Sequence, residues 1–320
     1  MWSSRVITSS DPDEFVTMIR PSGSKLLVTE RGRFEARSTL IDIGGIYAQR
    51  GWERLARIAH VGMARSGILF HTAPGPSMFW DGAEIRQDQV VVVKSGLGHV
   101  SRLAGPTSWG AMTLTDEDMQ AVNATWPDSI LSSEGGCLVV TPPPVALARL
   151  RLLHACAGQV ADTNQAFALW LEDALTQAMA AVIGINAIHS DSMARQHHQM
   201  IVRRFQELLE AQPAGPFHMQ EISGAIGVSS RTLRMACQTQ LGVSPTQYLL
   251  LRRMGMARRA LREADPGVTR VTDVATEFGF LELGRFAVKY RQIFGETPSS
   301  TLKAAAVLRP ESMQAAYALA

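Results

Sequence analysis

The sequence predicts an α+β chain in two parts. The first is a β-rich N-terminal domain of small-barrel or jelly-roll type carrying a helical pair; the second is an all-α C-terminal domain of two helix-turn-helix motifs joined by a long helix. Three observations predict this. Short apolar runs punctuated by Gly and Pro fill the region from Lys25 to Thr115. One helix–Gly–helix pattern is written twice between Met219 and Pro298. The charge is also divided unevenly: residues 199–303 hold 14 Lys+Arg against 9 Asp+Glu, while residues 1–198 hold 16 against 19. A basic C-terminal third behind an acidic remainder suits an anionic polymer in one region and a different partner in the other.

Residues 1–24 are mixed, with turns marked at Asp11-Pro12 and Pro21-Ser-Gly-Ser24. Leu26–Val28, Ile68–Phe70, Val90–Val93 and Ala111–Leu114 read as strands, being short and rich in β-branched or other apolar residues. Asp81-Gly82 before Glu84–Val93 reads as a hairpin turn, where glycine accepts a positive φ without steric cost. Thr115-Asp-Glu-Asp118 has the hydroxyl and the acids of a helix start, so a short helix to Trp126 is expected. Thr141-Pro-Pro-Pro144 closes the β-rich part, and helices are expected over Val145–Ala157 and Thr163–Ile183. In the second of these, Phe167, Trp170, Leu171, Ala174, Leu175 and Ala178 form one apolar stripe, for packing on the barrel or for a dimer interface. The first domain is therefore placed at residues 1–185, a polar linker at 186–199, a second domain at 200–303 and a tail at 304–320.

A composition of 46% hydrophobic and 19% charged residues is that of an ordinary globular chain. Cys137, Cys156 and Cys237 show no metal-ligand spacing, and an odd count argues against a disulfide scaffold, so a reducing, cytoplasmic setting is expected. The start of the chain lacks the apolar run of a signal peptide. The most apolar stretch, Ala174–Ile188, is expected to be too short to span a membrane. Adjacent His197 and His198 point to different sides of a helix and make no metal site. Phosphate-loop, nucleophile-elbow, zinc-protease and dinucleotide motifs are all missing, so no catalytic residue, metal or cofactor is assigned.

The duplicated pattern carries the functional signal. Its first copy runs Met219-Gln-Glu-Ile-Ser-Gly-Ala-Ile-Gly-Val-Ser to Leu233 and Leu241-Gly-Val-Ser-Pro245; its second runs Val271-Thr-Asp-Val-Ala-Thr-Glu-Phe-Gly-Phe-Leu to Phe286 and Phe294-Gly-Glu-Thr-Pro298. In the first copy Gly227 makes the turn, Ser229 caps the next helix, and Ile222, Ala225, Ile226, Val228, Leu233 and Cys237 are expected inside. Ser230, Arg231, Arg234, Met235 and Gln238 are then left outside, either as a solvated face or as the major-groove reading face of a recognition helix. From Ser244-Pro245 a helix to Ala264 buries Leu249, Leu250, Met254, Ala257 and Leu261, with Arg252, Arg253, Arg258, Arg259 and Arg262 expected on its other sides. This rigid joint would hold two recognition helices in major grooves about one turn, ~34 Å, apart.

Ser229-Ser-Arg-Thr-Leu233, Leu241-Gly-Val-Ser-Pro245, Phe278-Gly-Phe280 and Phe294-Gly-Glu-Thr-Pro298 resemble the signature of the AraC/XylS family of transcriptional regulators, over Met200–Leu302. Phe280-Leu-Glu-Leu-Gly-Arg-Phe-Ala287 is also similar to the branch containing ethanolamine-operon activators. The resemblance implies a β-barrel sensor domain, a helical dimerisation element, and activation of transcription on double-stranded DNA by contact with RNA polymerase.

Superposed across a one-residue insertion, Arg231, Arg234 and Met235 correspond to Gly284, Ala287 and Val288. The first motif is therefore expected to read bases, and the second to hold phosphates through Arg285, Lys289 and Arg291. The β-rich domain loosely resembles cupins, yet His60, His71 and His99 are scattered and lack the paired spacing a metal-binding cupin needs. A small effector inside the barrel is expected, with Tyr47, Phe70 and Trp80 as lining residues. Two alternatives stay open: a cupin-type enzyme fused to a DNA-binding domain, and an N-terminal domain that only mediates assembly.

Overall fold

The computed structural model describes residues 3–18, 25–96, 98–115, 117, 137–159, 165–183, 193–212 and 218–308. The helix expected from Thr115 to Trp126 lies almost wholly outside them. Twelve strands are described: β1 (Ser3–Ser9), β2 (Lys25–Val28), β3 (Ala36–Ile43), β4 (Ile46–Glu53), β5 (Arg57–Gly62), β6 (Gly67–His71), β7 (Met78–Trp80), β8 (Ala83–Ile85), β9 (Val90–Val93), β10 (Gly98–Leu103), β11 (Thr107–Thr113) and β12 (Cys137–Val140). They form an antiparallel seven-stranded sheet, β1-β3-β4-β11-β6-β9-β12, and a five-stranded sheet, β2-β5-β10-β7-β8. Three of the four predicted strand runs fall wholly in this set, and the fourth, Ala111–Leu114, overruns the end of β11 by one residue. The predicted hairpin turn joins β7 to β8, with Asp81 at φ 46° and Gly82 at φ 75°.

Because side chains alternate along a strand, the seven-stranded sheet has two buried faces. Val91 and Val93 of β9, Leu69 of β6 and Trp109 of β11 turn towards the five-stranded sheet and meet Met78, Trp80 and Leu103. Val90, Val92, Ile68, Phe70 and Met112 point the other way, onto α2 (Pro144–Gln159) and α3 (Gln165–Ile183). The unbroken valine run of β9 follows from this two-sided burial. In α3, Leu171, Ala174, Leu175 and Ala178 are buried, whereas Trp170 keeps 54% of its surface exposed and Phe167 37%. The expected stripe is thus split, with its inner part on the sheet and its aromatic part outside. The helix over Ala166–Ile183 is long and apolar enough by length and composition to cross a membrane; here its buried side lies on the sheet and α2.

The C-terminal half is built from α4 (Met193–Ala211), α5 (Met219–Ile226), α6 (Ser230–Leu241), α7 (Pro245–Glu263), α8 (Val271–Glu277), α9 (Leu283–Phe294) and α10 (Pro298–Leu308). α4 begins before the expected Met200, so residues 193–199 of the expected linker are already helical. The first unit (α5–α6, with α4 and the start of α7) buries Phe205, Ile222, Leu233 and Cys237, and the second (α8–α10, with the rest of α7) buries Val274, Phe286, Tyr290 and Ile293. Ala225, expected inside, is exposed. The first core is continuous with Ile58 and Val100 on the outer face of the five-stranded sheet, so this unit is docked on the β domain.

A second seam lies at α1 (Pro12–Met18). Arg258 of α7, expected on an outer side, is only 7% exposed, with a 2.5 Å bond to Asp11 and longer ones to Asp13 (3.3 Å) and Glu296 (3.2 Å). Arg259 reaches Asp13 and Arg262 reaches Asp11, at 3.1 and 2.6 Å. Three of the five predicted outer arginines are therefore bound to acids of the chain itself, a pairing that spacing along one helix could not reveal.

Candidate nucleic-acid interface and sensor cavity

The local sequence fixes the recognition helices. Gly227, Gly242, Gly279 and Gly295, the predicted turn positions, take φ of 77°, 70°, 78° and 74°, where a side chain would be strained. Ser229 accepts from the Thr232 N–H at 3.1 Å and so caps α6. Leu233, Ala236, Cys237 and Leu241 turn inward. By the helical period this leaves Ser230, Arg231, Arg234, Met235 and Gln238 exposed together on one face, as predicted. Among the described residues Arg231 and Arg234 make no ion pair and no side-chain hydrogen bond, so both guanidiniums remain available for phosphate or guanine. Ser230 is committed locally: its hydroxyl shares a 3.0 Å bond with Ser223. Gln238 Nε2 donates to the Gly242 carbonyl at 3.3 Å.

In α9, Phe286, Tyr290 and Ile293 are buried, and Gly284, Arg285, Ala287, Val288, Lys289 and Arg291 are exposed. Arg285 already holds Glu282 at 2.9 Å, a surface pair that DNA phosphates would have to displace. Beside this helix an open cleft of about 590 Å³ is lined by Leu250, Met254, Phe280, Leu281, Val288 and Lys289. Leu281 is 86% and Val288 60% exposed. The second unit thus presents an apolar surface where the first presents arginines.

Between the sheets lies a cavity of about 400 Å³. Tyr47 and Trp80 line it, as expected, but Phe70 does not. Strand alternation turns Leu69 inward and sends Phe70 to the helix-covered face, where its ring meets His154 at 5.2 Å. Gln49, Glu53, Arg57, Met63, Ser101 and Trp109 complete much of the wall and were not foreseen. Glu53 and Arg57 form a buried two-point pair, both bonds 2.9 Å; Arg57 also donates to the Ser101 carbonyl and hydroxyl, and the Trp109 indole donates to Glu53. The charges therefore cancel internally. The Trp80 indole N–H is buried with no acceptor among the described residues.

The three scattered histidines have separate settings. His60 lies under the first unit, where Tyr248 Oη donates to Nε2 at 2.9 Å; burial and nearby Lys25 push its pKa down to about 4. His71 Nε2 meets the Ile85 carbonyl at 3.0 Å, and burial lowers its pKa. His99, read from sequence as isolated, is instead paired through Nδ1 with Asp81 Oδ2 at 2.7 Å. The Cys237 thiol, inside the first unit, is pushed up to about 12 by burial and is chemically quiet.

Residues 222–304 match a family described as a helix-turn-helix domain. The chain is 41% identical over 103 residues to the probable thc operon regulatory protein of Rhodococcus erythropolis, covering 32% of this chain and 31% of that protein. It is 32% identical over 99 residues to the XylDLEGF operon transcriptional activator 2 of Pseudomonas putida, covering 31% of this chain and 63% of that one. Among solved structures it is similar to a probable AraC family transcriptional regulator from Rhodopseudomonas palustris, at 38% identity and a TM-score of 0.31, over 34% of this chain and 98% of that one. The chain thus spans about a third and under two thirds of the length of these two curated relatives.

Proposed function

We infer that this chain, whose C-terminal domain belongs to the AraC/XylS family of helix-turn-helix DNA-binding proteins, is a sequence-specific transcriptional regulator acting as an activator under control of a small molecule held between its two sheets. The observation that carries the reading is the exposed Arg231–Arg234–Met235–Gln238 face on a capped helix of a duplicated motif. Arginine there takes guanine O6 and N7 in two-point contact, which discriminates by about 1–3 kcal/mol. Arg285, Lys289 and Arg291 hold the second unit to phosphates. Double-stranded DNA and RNA polymerase are the macromolecular partners. A second copy of the chain pairs through the apolar outer side of α2 and α3, where Leu152, Leu169 and Trp170 are exposed.

The cavity favours a compact, largely apolar effector. Since Glu53 and Arg57 neutralise each other, no net charge awaits inside; Arg65, exposed at the lining's edge, suits an acidic end. A thermal-shift screen of aromatic acids, amines and amino acids, followed by footprinting with each hit, tests sensing: a stabilising ligand raises the melting temperature. Arg234→Ala and Lys289→Ala on specific and random DNA over a salt series test the division of labour. Arg234→Ala should erase sequence preference. Lys289→Ala should weaken both DNAs alike and lower the salt slope by about 1. The opposite pattern sinks the assignment.

A further inference from the structure

Asp81, His99 and Cys137 come from three separate parts of the β domain, yet their donor atoms all lie within 4.8 Å of one another. Asp81 is in the β7–β8 turn and His99 on β10, both of the five-stranded sheet, while Cys137 opens β12 at the edge of the other. One carboxylate oxygen, Asp81 Oδ2, receives both the His99 Nδ1 at 2.7 Å and the Cys137 Sγ at 3.4 Å. The second oxygen, Oδ1, is held by the Val100 N–H at 2.8 Å, and the Asp81 N–H donates back to the Val100 carbonyl at 2.9 Å, so the carboxylate cannot swing away. His99 is 2% exposed, and its other ring nitrogen, Nε2, is buried without a hydrogen-bond partner among the described residues. An imidazole Nδ1, a carboxylate Oδ2 and a thiol Sγ converging from three parts of the chain with fixed bearings are a donor set for a cation.

We propose that Asp81, His99 and Cys137 bind a divalent transition-metal ion of the zinc or cobalt type, clipping the two sheets together beside the sensor cavity. The chemistry selects this class: a thiolate with imidazole and carboxylate suits borderline ions and disfavours magnesium or calcium. Tetrahedral bonds of ~2.0–2.3 Å separate donors by roughly 3.3–3.8 Å, so the sulfur–oxygen gap already fits and the His–Asp pair opens by about half an ångström. The thiol proton leaves to solvent and the imidazole binds neutral, releasing one proton per ion. Half-exposed Cys137 gives the entry side and leaves a fourth position for water.

The site touches both working parts of the molecule. The His99 ring packs at a tilt against Trp80 of the cavity wall with centroids 5.4 Å apart. The adjoining Gly82 packs so closely on α6 that a Cβ there would come within 2.9 Å of the Gln240 amide. Metal occupancy is therefore placed to set the stance of the first recognition helix, a consequence that rests on the DNA-binding reading above.

The test uses the purified full-length chain titrated with Co²⁺ and Zn²⁺. One ion per chain, a sulfur-to-cobalt charge-transfer band, and displacement of cobalt by zinc are expected. Cys137→Ser should abolish the band and weaken binding more than about tenfold, while Cys156→Ser keeps both. Asp81→Asn should weaken binding too; because Asp81 also braces Val100, its melting curve is recorded beside that of Cys137→Ser, which removes no backbone brace. Substoichiometric uptake, or an unchanged band in Cys137→Ser, overturns the site. Operator affinity is then compared with and without zinc: a shift supports the coupling, and equal affinities overturn it. A chain that binds no DNA would still report the metal through the band, so the two failures are distinguishable.

Discussion

Ser229 caps the first recognition helix through its hydroxyl, whereas Glu282 at the matching end of the second makes no such bond. The first helix carries two uncommitted arginines; the second carries Ala287 and Val288 and an Arg285 tied to Glu282. Their settings differ as well. The first core runs on into Ile58 and Val100 of the five-stranded sheet, while α7, whose C-terminal part belongs to the second unit, meets the start of α1 through Arg258 with Asp11 and Asp13. The two copies share their turns and their helix lengths, twelve residues in each recognition helix. What diverged is the surface, which is where partner choice resides.

The comparison can be broken most forcefully in the cores. Phe286→Ala, which empties a fully packed site against Tyr290 and Phe280, should cost about 3–5 kcal/mol and expose α8–α10 amides to hydrogen exchange while those of α5–α6 stay protected. If both units lose protection together, they are one cooperative body. Arg258→Ala should come next, at about 2 kcal/mol, because Asp11 and Asp13 would lose their buried cation and keep only the more exposed Arg262 and Arg259; a denaturant titration measures it. The Asp11 pKa, lowered by Arg258 against the opposing effect of burial, should rise in that variant.

The seam under the first unit should depend on pH. The His60 pKa falls from 6.5 to about 4 on folding, so the unfolded chain binds the proton more readily in between. Its contribution is present above pH 6.5 and is lost as pH drops towards 4. Melting temperatures across that window should decline, and His60→Gln should flatten the slope; an identical slope in the variant removes His60 from the account. The smallest effect sharpens the contrast in capping. Ser229→Ala should cost about 1 kcal/mol, and Glu282→Ala should change stability only marginally in the same urea titration.

The repeat made the C-terminal half legible because each turn needs a glycine and each core position an apolar group at helical spacing. The β domain was legible only where strands are apolar on both faces. β5, with Arg57 and His60, was missed because its inward polar groups serve the cavity and the domain seam and break the alternation. Glu53 and Arg57, four apart, look in sequence like a surface pair on a helix, and only the fold buries them. Phe70 was assigned to the cavity and Leu69 was not, since a strand's register decides which neighbour faces inward and one position reverses it. The trio of Asp81, His99 and Cys137 spans 56 residues of chain, and no short motif could announce it.

The helix α7 runs unbroken for 19 residues between the two units. Each residue in such a rod adds about 1.5 Å of length and about 100° of rotation. One inserted residue would hardly lengthen it but would turn the second unit by about 100° relative to the first. The rod works as an angular key. Evolution can lengthen it only in near-whole turns, or must re-cut the Arg258 seam and the recognition face together.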